Sequence, residues 1–494
     1  ICANKDSGVT GNDAEICAAS ENRDSSDSTA THITNTIGMT GSHGGDGSQV
    51  TGKAAHQVSR VNSRRVREPD CEVPPIWSLS GEAGDVEIYP SAISDKIRQI
   101  VAKYSDLFSA KLGAKPAKWS PFKIELTSDD PVGGPPRRLS PPLRREVQAQ
   151  IEKLLEAGAI RESQSPYSSP LVMVRKKDRT WRMCVDYRKL NAITRRMSFP
   201  LPRTQELLDL LAHKKVFAIV DLTSGYHQAP ISEESIAKTA FATPDGLYEF
   251  VRLPFGLCNA PSYYQREMQR VLVGLLYKAC LVFVDDIVIF GETDEEFLEN
   301  LERVFARLLA NRLTLKPKKC TLGAPKVVYV GMAVSKEGIQ IDKSRIQGIL
   351  DMTEPRDKKQ LRSFMGLTNY FRRFVPAFAT IAVPMHALLK KGAAYVWTPE
   401  CQEAFEAIKN GIVKAPVLYH IDYTKEIVLR TDASPYGVGA VLLNRDKDTG
   451  REYNIAYGSQ TLSDVQRRWS INEKESWAVV WGVQRMSPYI RGVH

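Results

Sequence analysis

The sequence predicts a mixed α/β or α+β chain of several domains, preceded by a segment that does not fold. Three observations lead there. At ~150 residues per domain, 494 residues make two to four domains. Hydrophobic residues at 43% and charged residues at 25% are a globular composition. Short β-branched runs alternate with helical apolar stripes from about residue 90 onward. Before that, residues 1–70 are rich in Ser, Thr, Gly, Asn and Asp, and no aromatic ring precedes Trp77. Such a segment buries too little apolar surface to offset its ordering entropy, so residues 1–84 are read as disordered.

The elements follow in order. Ile93, Ile97, Ile100, Val101 and Tyr104 have helical spacing. Pro131 to Pro142 reads as an extended linker. Pro141 and Pro142 then open a helix with the stripe Leu143, Val147, Ile151, Leu154 and Leu155, which Gly158 ends. From Leu171 the period changes to two. Leu171–Val174 and Trp181–Tyr187 form a hairpin across Lys176-Lys177-Asp178-Arg179-Thr180. Val216–Val220 and Leu281–Val284 are further strands. Residues 355–391 read as helices carrying Leu361, Phe364, Met365, Tyr370, Phe371 and Phe374. After a junction at Gly392–Trp397, Thr398-Pro399 caps a helix with Phe405, Ile408 and Ile412. A second strand-rich unit starts near Glu426, followed by a helix over Ser470–Met486 with Trp477, Val480, Trp481 and Val483 as its buried positions.

Charge and cysteine content narrow the function classes. Lys and Arg total 67 against 57 acids, a formal +10, which favours a polyanionic partner. Eight cysteines in 494 residues exclude a disulfide scaffold, the lack of a C-x-x-C argues against a zinc ribbon or knuckle, and a reducing compartment fits. No uncharged apolar run reaches the ~18 residues of a membrane helix. The polar start, Ile1 to Thr10, is no secretory leader, and with no initiating Met the chain reads as a piece of a longer product.

The sharpest chemical feature is Leu281-Val282-Phe283-Val284-Asp285-Asp286-Ile287-Val288-Ile289-Phe290, two apolar strands around adjacent acids. At a hairpin tip both acids can converge. A second strand, Val216 to Val220, also ends in an acid, Asp221. Clustered carboxylates at strand ends suit hard cations such as Mg²⁺, and a pair of such ions serves nucleotidyl transfer.

Here the chain resembles a known family. Asp221-Leu222-Thr223-Ser224-Gly225-Tyr226-His227-Gln228, Leu253-Pro254-Phe255-Gly256-Leu257-Cys258-Asn259-Ala260-Pro261 and Phe283-Val284-Asp285-Asp286 are similar to successive motifs of reverse transcriptases, above all those of Ty3/gypsy retrotransposon polyproteins. Trp181 to Asn191 and the primer-grip-like Val330 to Ser335 extend the likeness, which runs from about 120 to 494. It implies a right hand of fingers, palm and thumb, and RNA-directed DNA polymerase activity. Asp221, Asp285 and Asp286, with the Leu222 carbonyl, would hold two Mg²⁺, with Mn²⁺ as an alternative ion. Lys176 or Lys177 and Arg182 would grip the deoxynucleoside triphosphate. Tyr226 would exclude a 2′-OH, and Phe255 and Gly256 would pack on the nucleotide. Gly331, Arg362, Arg372 and Arg373 would touch the RNA or DNA template–primer duplex. Arg179 stands where the family usually has Gly, and Phe283 where many relatives have Tyr.

Val428-Leu429-Arg430-Thr431-Asp432 and the helix bearing Glu475 resemble the start of a ribonuclease H domain. Asp432 and Glu475 would be its first two metal ligands. The strand for a third Asp is expected after His494, so this domain is read as cut short. The resulting division is 1–84 linker, 85–142 N-terminal extension, 143–335 fingers and palm, 336–394 thumb and connection, and 395–494 RNase H-like. Neither a membrane nor a given oligomeric state is implied; the setting is intracellular, a cytoplasmic virus-like particle. The alternative is an inactive nucleic-acid-binding remnant of such an element.

Overall fold

The structure, a computed structural model, describes residues 85–176 and 179–492. The disorder read for residues 1–84 and the candidate Lys177 lie outside the described residues.

A central five-stranded sheet positions the acids. Its order is Glu87–Ile88, Thr321–Ala324, Val216–Asp221, Asp286–Gly291, Cys280–Phe283. Only the pairing of Glu87–Ile88 with Thr321–Ala324 is parallel. Both faces of this sheet are covered, which is why its strands read as near-continuous apolar runs. Ala218, Val220, Val282, Ile287 and Ile289 join one core with Tyr264 and Met268 of helix Ala260–Val271 and Leu301 and Phe305 of helix Asp294–Ala310. Phe217, Leu281, Val288 and Phe290, the alternate residues, enter a second core.

An outer sheet runs Ile160–Glu162, Gly246–Phe250, Phe241–Thr243, Ser169–Arg175, Trp181–Val185. Helix Pro141–Glu156 presses Val147 and Ile151 onto Ile160, Leu171, Phe241 and Phe250. Leu155, expected in that stripe, is exposed, because the packed face is one column narrower than the sequence pattern. Gly158 follows the helix at φ +60, as its place required. In the hairpin, Arg179 takes φ +64 without being glycine, a conformation that costs about 1–2 kcal/mol for a side-chain-bearing residue.

The second core is closed by a smaller sheet, Lys326–Tyr329, Met332–Ser335, Gly338–Ile341, Leu418–Tyr419, and by helices Lys358–Tyr370 and Pro399–Val413. Phe364 and Phe405 meet across these helices with centroids 4.7 Å apart. The apolar stripe of Pro399–Val413 therefore packs with the 358–388 helices.

The last sheet is an antiparallel meander, Glu426–Ala433, Gly437–Arg445, Glu452–Thr461, backed by helix Ile471–Ile490. Ser470 and Glu473 form a reciprocal capping box at that helix's start. Its buried stripe is Ala478, Trp481, Gly482, Met486 and Tyr489. Val480 and Val483, expected inside, are exposed. The contact runs through Gly482, whose missing side chain lets the helix approach Thr431 (an added Cβ would lie 2.7 Å from its Cγ2), and this rotates the valines outward. No described helix is long and apolar enough to cross a membrane.

Candidate active site

Register brings the acids together. Val216–Asp221 pairs with Asp286–Gly291 so that Asp221 lies opposite Asp286, and Phe283 of the next strand also pairs with Asp286. Val284 and Asp285 are therefore the two residues of a tight turn, and Val284 accepts φ +56 to close it. Buried Gln265 clamps the hairpin: its Oε1 accepts from the Val284 amide at 2.7 Å and its Nε2 donates to the Val282 carbonyl at 3.1 Å. By strand alternation Asp221 and Asp286 share the sheet face of Phe217, Val288 and Phe290, opposite the two long helices.

The electrostatics are those of crowded, half-buried acids. Burial first, then Asp285 and Asp221, pushes Asp286 up to about 6. Asp285 is raised by burial and by Asp221. One ion pair answers them, Lys319 Nζ lying 2.7 Å from Asp221 Oδ2, and Arg182 adds a longer-range pull on Asp285. Among the described residues, no three acid, imidazole or thiol side chains are drawn close enough to hold a metal ion as they stand. The donor set still fits a hard divalent cation, being all carboxylate oxygen with unneutralised charge. Leu222 is buried and bridges to Leu315.

Beside the acids is an aromatic and basic wall. Ser224, at φ +49, turns the chain into the single 3-10 turn Gly225–Gln228, which carries Tyr226. The Tyr226 ring is 5.0 Å from both Phe255 and Tyr264, and burial with nearby Asp285 raises its phenol far above the usual range. The Arg182 guanidinium stacks over Phe255 at 4.3 Å from the ring centroid. His227 meets the same ring edge-on, and desolvation pushes its imidazole down to about 4, so it is neutral at pH 7. Gly256 needs its freedom: φ is +95 and an added Cβ would lie 3.4 Å from the Val185 carbonyl. Asn191 staples this loop, donating to the Gly256 carbonyl at 2.8 Å and accepting from the Cys258 amide at 2.9 Å.

The remaining candidates are spread more widely. Lys176 is exposed at the hairpin tip. Gly331 takes φ +81 in the turn before Met332–Ser335, near Arg345. Arg362 is exposed. The other two thumb arginines turn inward instead of toward solvent. Arg372 donates to the Ser459 carbonyl. Arg373, largely covered, lies 3.8 Å from Asp209, and its buried Nε and Nη1 have no hydrogen-bond partner. The helix ends at Tyr370, and a 3-10 turn, Arg372–Phe374, redirects both from the duplex contact expected of them. Asp432 and Glu475 are neighbours: Glu475 Oε1 accepts from the Ala433 amide at 3.3 Å.

Sequence reading missed Lys319, Gln265 and Asn191 as site-shaping residues. Asn191 lay within a quoted motif. Lys319 is one of several lysines in Lys316-Pro317-Lys318-Lys319, and only cross-strand geometry selects it.

These features have relatives. Residues 174–334 match the family model of reverse transcriptase (RNA-dependent DNA polymerase), and residues 397–494 match that of the RNase H-like domain found in reverse transcriptases. The retrovirus-related Pol polyprotein from transposon 297 of Drosophila melanogaster is 37% identical, covering 80% of this chain and 38% of the relative. That from transposon 412 of the same fly is 33% identical, covering 82% and 33%. The Tf2-3 polyprotein of Schizosaccharomyces pombe is 32% identical, covering 76% and 28%. The chain thus spans well under half of each of these polyproteins. Among solved structures, the foamy viral protease–reverse transcriptase dRH in complex with double-stranded DNA matches with a TM-score of 0.73 and 26% identity, over 82% of this chain and 71% of that one. The foamy viral enzyme in complex with an RNA/DNA hybrid gives 0.69 and 26%, over 82% and 54%. Fold and motif order define a reverse transcriptase with an RNase H-like domain at its C-terminal side. The chain belongs to the retrotransposon Pol polyproteins, among relatives of the Ty3/gypsy type.

Proposed function

We propose that this chain is the RNA-directed DNA polymerase of a retrotransposon, extending a primer 3′-OH along an RNA or DNA template with deoxynucleoside triphosphates. The observation that carries this reading is the register of Asp221 against Asp286, with Asp285 in the intervening turn, next to Tyr226, Phe255 and Arg182. Two Mg²⁺ ions, or Mn²⁺ in their place, held by Asp221, Asp285, Asp286 and the Leu222 carbonyl, would supply Lewis acidity at the attacking hydroxyl and the leaving pyrophosphate.

The chain's own residues do the rest. Arg182 leaves its stack on Phe255 to fork onto phosphate oxygens, with Lys176 or Lys177 as a point charge. Tyr226, wedged between Phe255 and Tyr264, forms a floor under the sugar that leaves no room for a 2′-OH. Phe255 and Gly256 present ring and bare backbone to the nucleotide. Gly331 meets the primer strand and Arg362 a duplex phosphate, contacts that add affinity without reading sequence. The inward-facing Arg372 and Arg373 are assigned to internal packing.

Asp432 and Glu475 are proposed as the first two metal-binding carboxylates of the RNase H-like unit. Residues 143–335 serve as fingers and palm, 336–394 as thumb and connection, and 395–494 as that unit. The setting proposed is a cytoplasmic virus-like particle. Primer extension on an RNA template, with and without Mg²⁺, tests the polymerase reading. Duplex binding with no Mg²⁺-dependent extension would instead mark an inactive nucleic-acid-binding remnant.

A further inference from the structure

Lys319 sits on a turn whose backbone is fixed next to Asp221. The turn is Pro317–Lys319, and on its near side the Lys316 amide donates to the Asp221 carbonyl at 2.8 Å. On its far side buried Cys320 donates its amide to the Pro317 carbonyl at 3.0 Å, and the strand Thr321–Ala324 pairs with Val216–Asp221. The side chain is free by comparison: 55% of it is exposed, with only its tip on the carboxylate. Among the described residues this is the one ion pair that Asp221, Asp285 or Asp286 makes.

We infer that Lys319 is a built-in counter-ion of the acid cluster, one that occupies Asp221 while no divalent cation is bound and competes with such a cation for that carboxylate. A flexible four-carbon stem on a rigid turn suits this role, since the ammonium can withdraw to solvent without moving the strand. The pair is half exposed, so its strength is modest and a divalent ion can displace it. The inference rests on the polymerase reading for the identity of the competing ion. It differs from a merely structural ion pair in its sign: losing a structural pair only weakens the fold, whereas losing a competitor strengthens metal binding.

The test is Mn²⁺ binding to the full chain without nucleic acid or nucleotide, followed by the electron paramagnetic resonance signal of the free ion. Lys319→Met should bind about three- to fivefold more tightly than wild type, and Lys319→Arg should stay near wild type. Mn²⁺ should also raise the melting temperature of Lys319→Met by more than that of wild type. If Asp285→Asn abolishes binding but Lys319→Met binds no more tightly than wild type, the counter-ion role is wrong and the metal site stands. If binding in wild type and Lys319→Met does not depend on Asp285, the metal site itself is wrong and the inference falls with it.

Discussion

The acids at 221, 285 and 286 and those at 432 and 475 form two separate groups, and they are held in different ways. The first three come from two neighbouring antiparallel strands and the turn between one of them and the next, so backbone register, with the Gln265 clamp, fixes their spacing. They are half-buried, crowd one another and take a lysine as counter-ion. Asp432 is exposed on a strand and Glu475 comes from a helix, tied by one hydrogen bond to the Ala433 amide. Among the described residues neither is in an ion pair. Placement by register makes one site rigid and charge-stressed. Placement by helix packing makes the other depend on how closely the helix approaches the sheet, which is where Gly482 acts.

The largest expected effect separates the two sites. Asp285→Asn should lower primer extension on the order of 10³-fold, the loss of about 4 kcal/mol of transition-state stabilisation, while duplex binding measured by filter retention stays near wild type. Asp432→Asn should leave extension unchanged. Equal loss of extension in both variants would mean that the two acid groups are not separate sites.

Next comes sugar choice, a property of the first site alone. Tyr226→Ala removes the ring lodged between Phe255 and Tyr264, and preference for deoxynucleotides over ribonucleotides should fall about 100-fold. An unchanged ratio in competitive incorporation assigns Tyr226 to packing only.

The two regions also differ in how they tolerate a methyl group. An added Cβ at Gly291 meets the backbone of Phe297 at 2.6 Å, and nothing there can yield. At Gly482 the nearest atom is a Thr431 methyl at 2.7 Å, which a rotamer change can move. Gly291→Ala should cost about 3 kcal/mol and Gly482→Ala about 1 kcal/mol in denaturant unfolding. The reverse order would show that the helix, and not the central sheet, is the rigid partner.

The smallest effect is a pH dependence. The Asp286 carboxyl titrates at about 6 in the folded chain, above its ordinary value of 3.8. A carboxylate raised on folding destabilises the fold as pH climbs from the unfolded to the folded value, and the full penalty is present above about 6. Asp286→Asn should therefore raise the melting temperature of the metal-free chain at pH 7 and make no difference near pH 3. The same gain at both pH values would trace the effect to packing instead of charge.

How much of this was written in local sequence depends on the element. The 94–103 helix, the Gly158 stop, the 281–290 hairpin and the Thr398 cap follow from periodicity and end signals that neighbouring residues supply. Which face of the last helix is buried did not, because Val480 and Val483 fit a helical stripe as well as Ala478 and Met486 do, and only the partner sheet chooses between them. Arg373 shows the same limit. The resemblance suggested a duplex contact for it, and its packing against Asp209 comes from a residue far away in sequence. The acids were legible as a group through motif order, but the Asp221–Asp286 register and the Lys319 contact are long-range facts.

The turn at Val284 has one more consequence. A β-branched residue in the left-handed region is held about 1–2 kcal/mol uphill, and Gln265 is the side chain that keeps it there. Val284→Gly would relieve that tension, give up the side chain's packing on the core and let the turn wander, so the acids would lose aim. A search for thermostable variants that relaxed left-handed residues one by one would, at Val284, trade away the placement of Asp285 and Asp286.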